Sequence, residues 1–204
     1  DANITLDSKI LIEDYTDPDI RLKVGGLVGS NDYGDISNSD ALGHITAKAI
    51  SKESNAGYVG VRYPYVEAEI YAGGLVGENS GNITQSYALG YVKTSLTAEI
   101  IKKTVDEAFN PDSHVYARSY TGGLVGENSG NIQESYAFGD VSASVKSSVI
   151  DGATGADISS SFEGGVLAQA YAGGLVGVNI GNNYSNDTRN MDLPVGTGPS
   201  ILDS

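Results

Sequence analysis

The sequence predicts an all-β protein, a parallel β-solenoid (β-helix) of about four repeats of about 49 residues, with β-hairpin excursions. The main observation is a pentapeptide, Gly-Gly-Leu-Val-Gly, that begins at Gly25, Gly73, Gly122 and Gly173 and so recurs after 48, 49 and 51 residues. The amino-acid composition also favours an all-β fold. The 204 residues include 27 glycines and 13 tyrosines but no tryptophan, which favours strands joined by tight turns.

One domain is expected to span residues 1–204, and its parts follow in chain order. They are an N-terminal strand or cap at 1–24, repeats at 25–72, 73–121 and 122–172, and a degenerate repeat with a C-terminal cap at 173–204. The N-terminal strand contains an apolar run formed by Ile4, Leu6, Ile10 and Ile12. This run either caps the first coil or pairs with another chain.

The block after each pentapeptide alternates between fixed and variable positions. Ala88 and Gly90 have counterparts in the other repeats, whereas Tyr87 and Tyr91 are replaced. A period of two is typical of a strand with one buried face. The intervening large apolar residues, Leu42, Leu89 and Phe138, predict a partly covered outer face. The predicted core consists of Leu27, Leu75, Leu124, Leu175, Ile36, Ile83, Ile132, Val92 and Val141.

Each pentapeptide is followed by a turn that contains an asparagine: Asn31, Asn79, Asn128 and Asn179. Two interpretations are open. The side chains either stack into a hydrogen-bonded ladder along the repeats, or they act as separate turn residues.

The longer segments between the fixed blocks, residues 46–72, 93–121 and 142–172, predict strand–turn–strand excursions. Residues 95–110 also fit a helix. The strand interpretation is preferred there because the equivalent segments of the other repeats resemble strands. The polar, proline-containing end of the chain, with Pro194 and Pro199, predicts a cap that prevents further strand pairing.

The charge balance excludes two classes of partner. With 12 basic and 26 acidic residues the formal net charge is −14, and such a surface repels nucleic acid and anionic membranes. No apolar run approaches the roughly 20 residues that a membrane-spanning helix needs, so no membrane insertion is expected. Other proteins, surface glycans or further copies of the chain remain as partners.

The sequence predicts no enzyme. The chain has no cysteine and only two histidines, and His44 and His114 are both expected at the surface. The acids Glu78, Glu127 and Glu134 occupy turn or variable positions, which indicates solvated charge rather than the paired carboxylates of a glycosidase. A Ser-His-Asp site, whose members meet only in space, stays open.

No cofactor is predicted, and calcium is the one metal considered. Two short loops gather oxygen ligands of the kind that calcium prefers. Ordinary acidic turns are the preferred interpretation of both loops. The candidate ligands are Asp14, Asp17, Asp19, Asp32 and Asp35.

The repeats resemble the GLUG motif, which is named for its Gly-Leu-x-Gly core. That core occurs here as Gly26–Gly29, Gly74–Gly77, Gly123–Gly126 and Gly174–Gly177, and a similar Asn-Ser-Gly-Asn-Ile segment follows in two repeats. The resemblance implies large secreted or surface-displayed microbial proteins, among them adhesins, filamentous haemagglutinin-like proteins and the flanking regions of immunoglobulin A proteases. It implies a scaffolding or adhesive β-solenoid module without catalytic residues.

The predicted function is therefore a non-catalytic structural or adhesive module of an extracellular microbial surface protein. Its expected contact surface consists of tyrosines in the excursions: Tyr58, Tyr63, Tyr65 and Tyr116. The first alternative is a self-assembling subunit of an extracellular filament, in which the N-terminal apolar run is a donor strand that completes a neighbour's sheet. The second alternative is a polysaccharide-active β-helix.

Overall fold

The computed structural model describes residues 4–12, 19–54, 65–102, 113–162, 164–180 and 201–202. Strands dominate these residues, and the one helix among them is a short 3-10 turn at Ser159–Ser161. Apart from an isolated antiparallel bridge between Ile150 and Asp157, the described strand pairs are parallel. Each pair joins a residue to its counterpart one repeat away. The predicted parallel β-solenoid is confirmed.

In the described part of the chain, five sheets, named A to E here, extend along the solenoid. Sheet A contains β1 (Ile4–Ile12), β6 (Ile45–Ser54), β11 (Val92–Lys102) and β16 (Val141–Asp151). Sheet B contains β2 (Asp19–Gly25), β7 (Tyr65–Gly73), β12 (His114–Gly122) and β17 (Gly165–Gly173). Sheet C contains β3 (Val28–Asn31), β8 (Val76–Asn79), β13 (Val125–Asn128) and β18 (Val176–Asn179).

The two remaining sheets are built from shorter strands. Sheet D contains β4 (Asp35–Ser37), β9 (Asn82–Thr84), β14 (Asn131–Gln133) and β19 (Ile201–Leu202). Sheet E contains β5 (Asp40–Ala41), β10 (Tyr87–Leu89) and β15 (Tyr136–Phe138). One coil is one passage through sheets A to E, so coil 1 is β1–β5, coil 2 is β6–β10, coil 3 is β11–β15 and coil 4 is β16–β19.

The predicted β-hairpin excursions are wrong. The two strands of each excursion, such as β6 and β7, lie in different sheets and pair with neighbouring coils. Both strands carry an inward apolar face, for example Ala47 and Ala49 on β6 and Val66 and Ala68 on β7. Because these faces pack against each other across the core, the strands cannot be edge-to-edge partners. The preference for a strand after Ser95 is confirmed as far as Lys102, and residues 103–110 lie outside the described part.

Within the described residues, two hydrophobic clusters fill the solenoid. The first lies between sheets A and B, and the second lies among sheets C, D and E. Of the predicted core, five residues are almost fully buried: Leu75, Ile83, Val92, Leu124 and Ile132. Three more are partly buried in the first or fourth coil: Ile36, Val141 and Leu175.

Leu27 corrects the predicted core, because its side chain is 50% exposed. It occupies coil 1, next to the edge strand β3 of sheet C. Its amide donates to the carbonyl of Leu75 at 3.0 Å, so the stack continues on that side. The equivalent leucines of coils 2 and 3 have a coil on both sides and are completely buried.

The pairing of the N-terminal strand decides between its two predicted roles, a cap on coil 1 or a donor strand for another chain. β1 pairs in parallel with β6 over its full length, from Ile4 opposite Ile45 to Ile12 opposite Glu53. The strand therefore belongs to coil 1 of its own chain, as the capping interpretation expects. Since β1 already pairs with β6, the run formed by Ile4, Leu6, Ile10 and Ile12 is not a free donor strand for a neighbour.

The asparagines form the ladder. The side-chain amide of Asn31 donates to Asn79 Oδ1 at 2.7 Å, Asn79 donates to Asn128 at 2.7 Å, and Asn128 donates to Asn179 at 3.1 Å. Asn79 and Asn128 also donate to the carbonyls of Gly81 and Gly130. Asn31, Asn79 and Asn128 are buried, so their hydrogen bonds satisfy polar groups that water does not reach.

Candidate binding surfaces

Two of the predicted contact tyrosines come together on the outer face of sheet B. The rings of Tyr65 and Tyr116 lie 6.4 Å apart. His114 stacks on Tyr116 at 5.0 Å and meets Tyr65 edge-on at 5.1 Å. These three residues are named the aromatic cluster. Tyr58 and Tyr63 lie outside the described residues.

The polar groups around the aromatic cluster are engaged within the protein. The Tyr65 hydroxyl donates to Glu67 at 2.5 Å, and this hydrogen bond, followed by burial, raises the pKa of Tyr65 to about 12. Arg118 lies over the Tyr116 ring and donates to Glu67 and Glu69. Since both tyrosines are half-buried, the cluster offers a ligand little free surface.

A more exposed surface follows sheet E. Leu42, Leu89 and Phe138 lie at equivalent positions of three successive coils and are 43%, 37% and 78% exposed. These residues are named the apolar ladder. The sequence predicted a partly covered face here, so the exposure of Phe138 corrects that expectation.

Packing on the inner side explains why the apolar ladder points outward. The neighbouring residues Ala41 and Ala88 face the core. A Cβ atom added to Gly74 would lie 2.7 Å from the Cβ of Ala88. The space between these two strands of the coil therefore holds no side chain larger than the methyl group of Ala88. Successive strand residues point to opposite faces, and Leu89 therefore projects into solvent. The alternation of alanine with large apolar residues was the sequence signal for this surface.

Stacked rings flank the apolar ladder on both sides. Tyr87 and Tyr136 stack at 5.0 Å with planes 4° apart. His44 and Tyr91 stack at 4.0 Å, and His44 Nδ1 accepts the Tyr91 backbone amide at 3.1 Å. His44 is thus half-exposed on the outer face. The apolar ladder and its flanking rings together are named the sheet E face.

Carboxylates gather where sheets B and C meet. Glu78 forms an ion pair with Lys23 at 2.7 Å, and Glu127 lies opposite Glu78 in the strand register. Burial, followed by the charges of Glu78 and Glu69, raises the pKa of Glu127 to about 7. The expectation that all these acids are solvated is therefore wrong for Glu127.

A stack of tyrosines accompanies these carboxylates. Tyr71 and Tyr120 stack at 4.9 Å, and Tyr120 and Tyr171 stack at 5.2 Å. The Tyr71 hydroxyl donates to Glu69 at 2.8 Å. Because the rings cover one another, the face of the middle ring is occupied by its neighbours. This arrangement stabilises the stacked coils rather than presenting an aromatic platform.

We expect the Glu127 carboxyl to make the protein less stable as the pH rises. Its folded pKa is about 7 against an ordinary value of 4.5, so the folded state binds the proton more tightly. The contribution to stability is complete below pH 4.5 and is lost as the pH rises through 7. After allowance for partial exposure, Glu127→Gln should gain about 2 kcal/mol over the parent at pH 8.

The measurement is urea unfolding of Glu127→Gln and of the parent at several pH values between 4.5 and 8. Glu134→Gln is the matched control, because it removes one exposed carboxylate of coil 3. A stability difference for Glu127→Gln that stays constant across this range would contradict the assignment.

The calcium candidates do not assemble. Asp19 lies 3.9 Å from Arg21, Asp32 accepts from Ser30, and Asp35 accepts from Asn82. Asp14 and Asp17 fall outside the described residues. Within the described ranges, no group of three or more histidine or acidic side chains is arranged to hold a metal ion.

The coils stack so that each one adds a parallel strand to successive sheets. This arrangement defines a β-solenoid repeat protein. The family model for the GLUG motif matches residues 23–46 and 117–142, which include the Gly-Gly-Leu-Val-Gly corners of coils 1 and 3. The chain therefore carries GLUG repeats. No curated protein and no solved structure matches it. Over the described residues, no helix combines the length and the hydrophobicity that crossing a membrane demands.

Proposed function

We propose that this chain is a non-catalytic adhesive module of an extracellular microbial surface protein, and that it contacts its ligand through the sheet E face. The observation that carries the proposal is the exposed apolar ladder of Leu42, Leu89 and Phe138. Contiguous exposed apolar residues are typical of binding surfaces, because water solvates such a patch poorly. The GLUG repeats support a place in a surface protein.

The solenoid supports this surface mechanically. Ala88 pairs with Ala41 and with Ala137 in sheet E, so the adjacent residues of the apolar ladder are held in register about 4.8 Å apart. Their side chains project from a backbone that two neighbouring coils fix. A ligand then meets a preorganised row of side chains, and little conformational entropy is lost on binding.

The chemistry of the sheet E face favours a protein ligand over a glycan. Sugars bind to open aromatic ring faces, whereas the rings of Tyr87 and Tyr136, and of His44 and Tyr91, stack on each other. The centre of the surface is aliphatic in coils 1 and 2. An apolar protein surface is complementary to such a row, and the net charge of −14 would favour a basic rim around it.

The test is a triple variant, Leu42→Ser with Leu89→Ser and Phe138→Ser. We expect the triple variant to fold as the parent does and to lose at least about tenfold in affinity for surface proteins on an array. The matched control is Tyr33→Ser with Ile180→Ser, which removes exposed apolar side chains elsewhere. Equal binding by the triple variant and the parent would overturn the proposal, and binding only to cellulose or chitin would replace it with glycan recognition.

A filament subunit is the second candidate, and the direction of the backbone hydrogen bonds favours it. The amide of Leu75 donates to the carbonyl of Leu124 in the next coil, and the amide of Leu124 donates to Leu175. Coil 1 thus offers a carbonyl where coil 4 offers an amide, so two copies would be complementary head to tail. Sedimentation velocity of the same variants distinguishes the candidates, because a filament subunit grows in mass with concentration even when the apolar ladder is absent.

A further inference from the structure

The outer face of sheet D forms a polar groove along the first three coils. Its strands β4, β9 and β14 direct Ile36, Ile83 and Ile132 toward the core. The residues on either side of each isoleucine therefore face outward, and they line a cavity of about 460 Å³. We name this cavity the sheet D groove. Its lining residues are Asp35, Ser37, Asn82, Thr84, Asn131 and Gln133.

The side chains of the sheet D groove form two rows along the solenoid. The first row is Asp35, Asn82 and Asn131. The second row is Ser37, Thr84 and Gln133. Neighbours within a row are about 4.8 Å apart, and the two rows are about 6.6 Å apart, since they lie two residues apart along each strand. The cavity volume falls in the roughly 300–1,000 Å³ range of small-molecule sites.

Hydrogen bonds hold the first row in place. The side-chain amide of Asn131 donates to Asn82 Oδ1 at 3.2 Å, and that of Asn82 donates to Asp35 Oδ1 at 2.7 Å. A carboxamide has two N–H donors, and each of these amides uses one of them here. In the second row, the side chains of Ser37, Thr84 and Gln133 make no hydrogen bond within the described part of the chain. The groove thus has donors and acceptors to offer a ligand.

We propose that the sheet D groove binds a neutral glycan. Carboxamides and hydroxyls both donate and accept hydrogen bonds, as the hydroxyls of a sugar do. Asp35 is the one charged side chain among the described lining residues, and the chain has a net charge of −14. An anionic sugar would be repelled by these charges. The site is separate from the sheet E face and does not depend on binding there.

Other occupants fit the sheet D groove less well. A peptide strand adds to a free sheet edge, whereas the groove lies on the face of strands that pair with one another. The centre of a protein interface is apolar, whereas the described lining residues are all polar. A second copy would bring its own net charge of −14 to this surface. The rest of the chain leaves the lining side chains exposed, apart from half-buried Thr84.

An exposed aromatic ring lies in the turn before the coil 1 end of the groove. Two residues separate Asn31 from Gly34, whereas one residue separates Asn79 from Gly81. Tyr33 belongs to this longer turn, and its side chain is 80% exposed. Its φ of +146° lies in the region that favours glycine, and such strain, about 1–3 kcal/mol, is typical of ligand-binding sites. Tyr33 thus supplies a ring face on which a sugar can pack.

The probe is an array of neutral and acidic glycans, to which the labelled full chain is applied at low and at high salt. We expect binding to neutral glycans that salt does not weaken, because salt screens attraction between charges and this ligand carries none. Isothermal titration calorimetry with the neutral glycan that gives the strongest signal then measures the dissociation constant.

The groove variant is Asn82→Ala with Thr84→Val, which removes the coil 2 polar groups from both rows. Its dissociation constant for that glycan should rise at least about tenfold, because sugar hydroxyls lose their partners. The matched control is Thr46→Val with Ser95→Ala, which removes half-buried hydroxyls from the outer face of sheet A. The control should bind as the parent does. Both variants should melt within a few degrees of the parent, because they change surface side chains.

The variants of the sheet E test distinguish this site from the sheet E face. The triple variant at Leu42, Leu89 and Phe138 keeps both rows of the groove and should bind the glycan as the parent does. Tyr33→Ser with Ile180→Ser keeps the apolar ladder but lacks the exposed ring, and should bind the glycan about tenfold more weakly. Loss of glycan binding in the triple variant would place the glycan at the sheet E face and overturn the proposal.

Three further outcomes would overturn the proposal. They are equal affinity of the groove variant and the parent, no binding to any neutral glycan on the array, and binding to acidic glycans alone that salt weakens. Self-association of the parent that the groove variant abolishes would identify a second copy as the occupant instead. Salt-independent binding that the groove variant weakens and the matched control keeps supports a neutral glycan in the sheet D groove.

Discussion

Replacing Leu124 by aspartate is expected to unfold the protein at 25 °C. Leu124 is completely buried, and its backbone bonds to Leu75 on one side and to Leu175 on the other. A carboxylate at this position would have no partner in the cluster among sheets C, D and E. Burying such a charge costs several kcal/mol or more, a large part of the roughly 5–15 kcal/mol that stabilises an ordinary domain.

Circular dichroism and a thermal melt of Leu124→Asp are the measurements. Leu27→Asp is the matched control, since it changes the same repeat position in coil 1, where the side chain is half exposed. We expect the control to melt within a few degrees of the parent. A cooperative melt of Leu124→Asp at the parental temperature would contradict the buried assignment.

The second large effect is expected from Asn79→Ala in the middle of the asparagine ladder. Its side chain accepts from Asn31, donates to Asn128 and donates to the carbonyl of Gly81. Removal breaks three buried hydrogen bonds and leaves their partners without a substitute. The free energy of unfolding should fall by about 3 kcal/mol.

Guanidinium unfolding measures this loss. The matched control is Asn82→Ala, because Asn82 also bonds to its neighbours in adjacent coils but is exposed. Water replaces those hydrogen bonds, so the control should lose no more than about 0.5 kcal/mol. Equal losses at Asn79 and Asn82 would show that burial of the ladder contributes nothing.

The periodicity of the sequence predicted the stacked coils, because each residue pairs with its counterpart one repeat away. The alternation around Ala88 and Gly90 likewise located the inward face of sheet E. The segments after each fixed block share an apolar period but few residue types, so their membership in sheets A and B was not evident. Which sheet such a strand joins depends on how two apolar faces pack against each other across the core. The sequence of one strand alone does not specify this packing.

Equivalent residues can also differ in environment for reasons that the repeat does not contain. Leu27 and Leu75 have the same neighbours in sequence, yet only Leu75 has a coil on both sides. Glu78 and Glu127 occupy the same position in neighbouring strands of sheet C. Glu78 has Lys23 from coil 1 beside it, whereas Glu127 is half-buried and lies next to Glu78 itself. Such differences follow from position along the stack.

The in-register pairing of the coils also determines how the protein can change in size. Because the ladders of sheets A to D run unbroken from coil to coil, duplication of one repeat in the gene would insert a coil whose neighbours already match it. The new coil would lengthen the rod by about 4.8 Å without altering its width or its existing surfaces. Unequal recombination can therefore change the length of the rod by whole coils. Point mutations change instead which side chains the surface presents to a ligand.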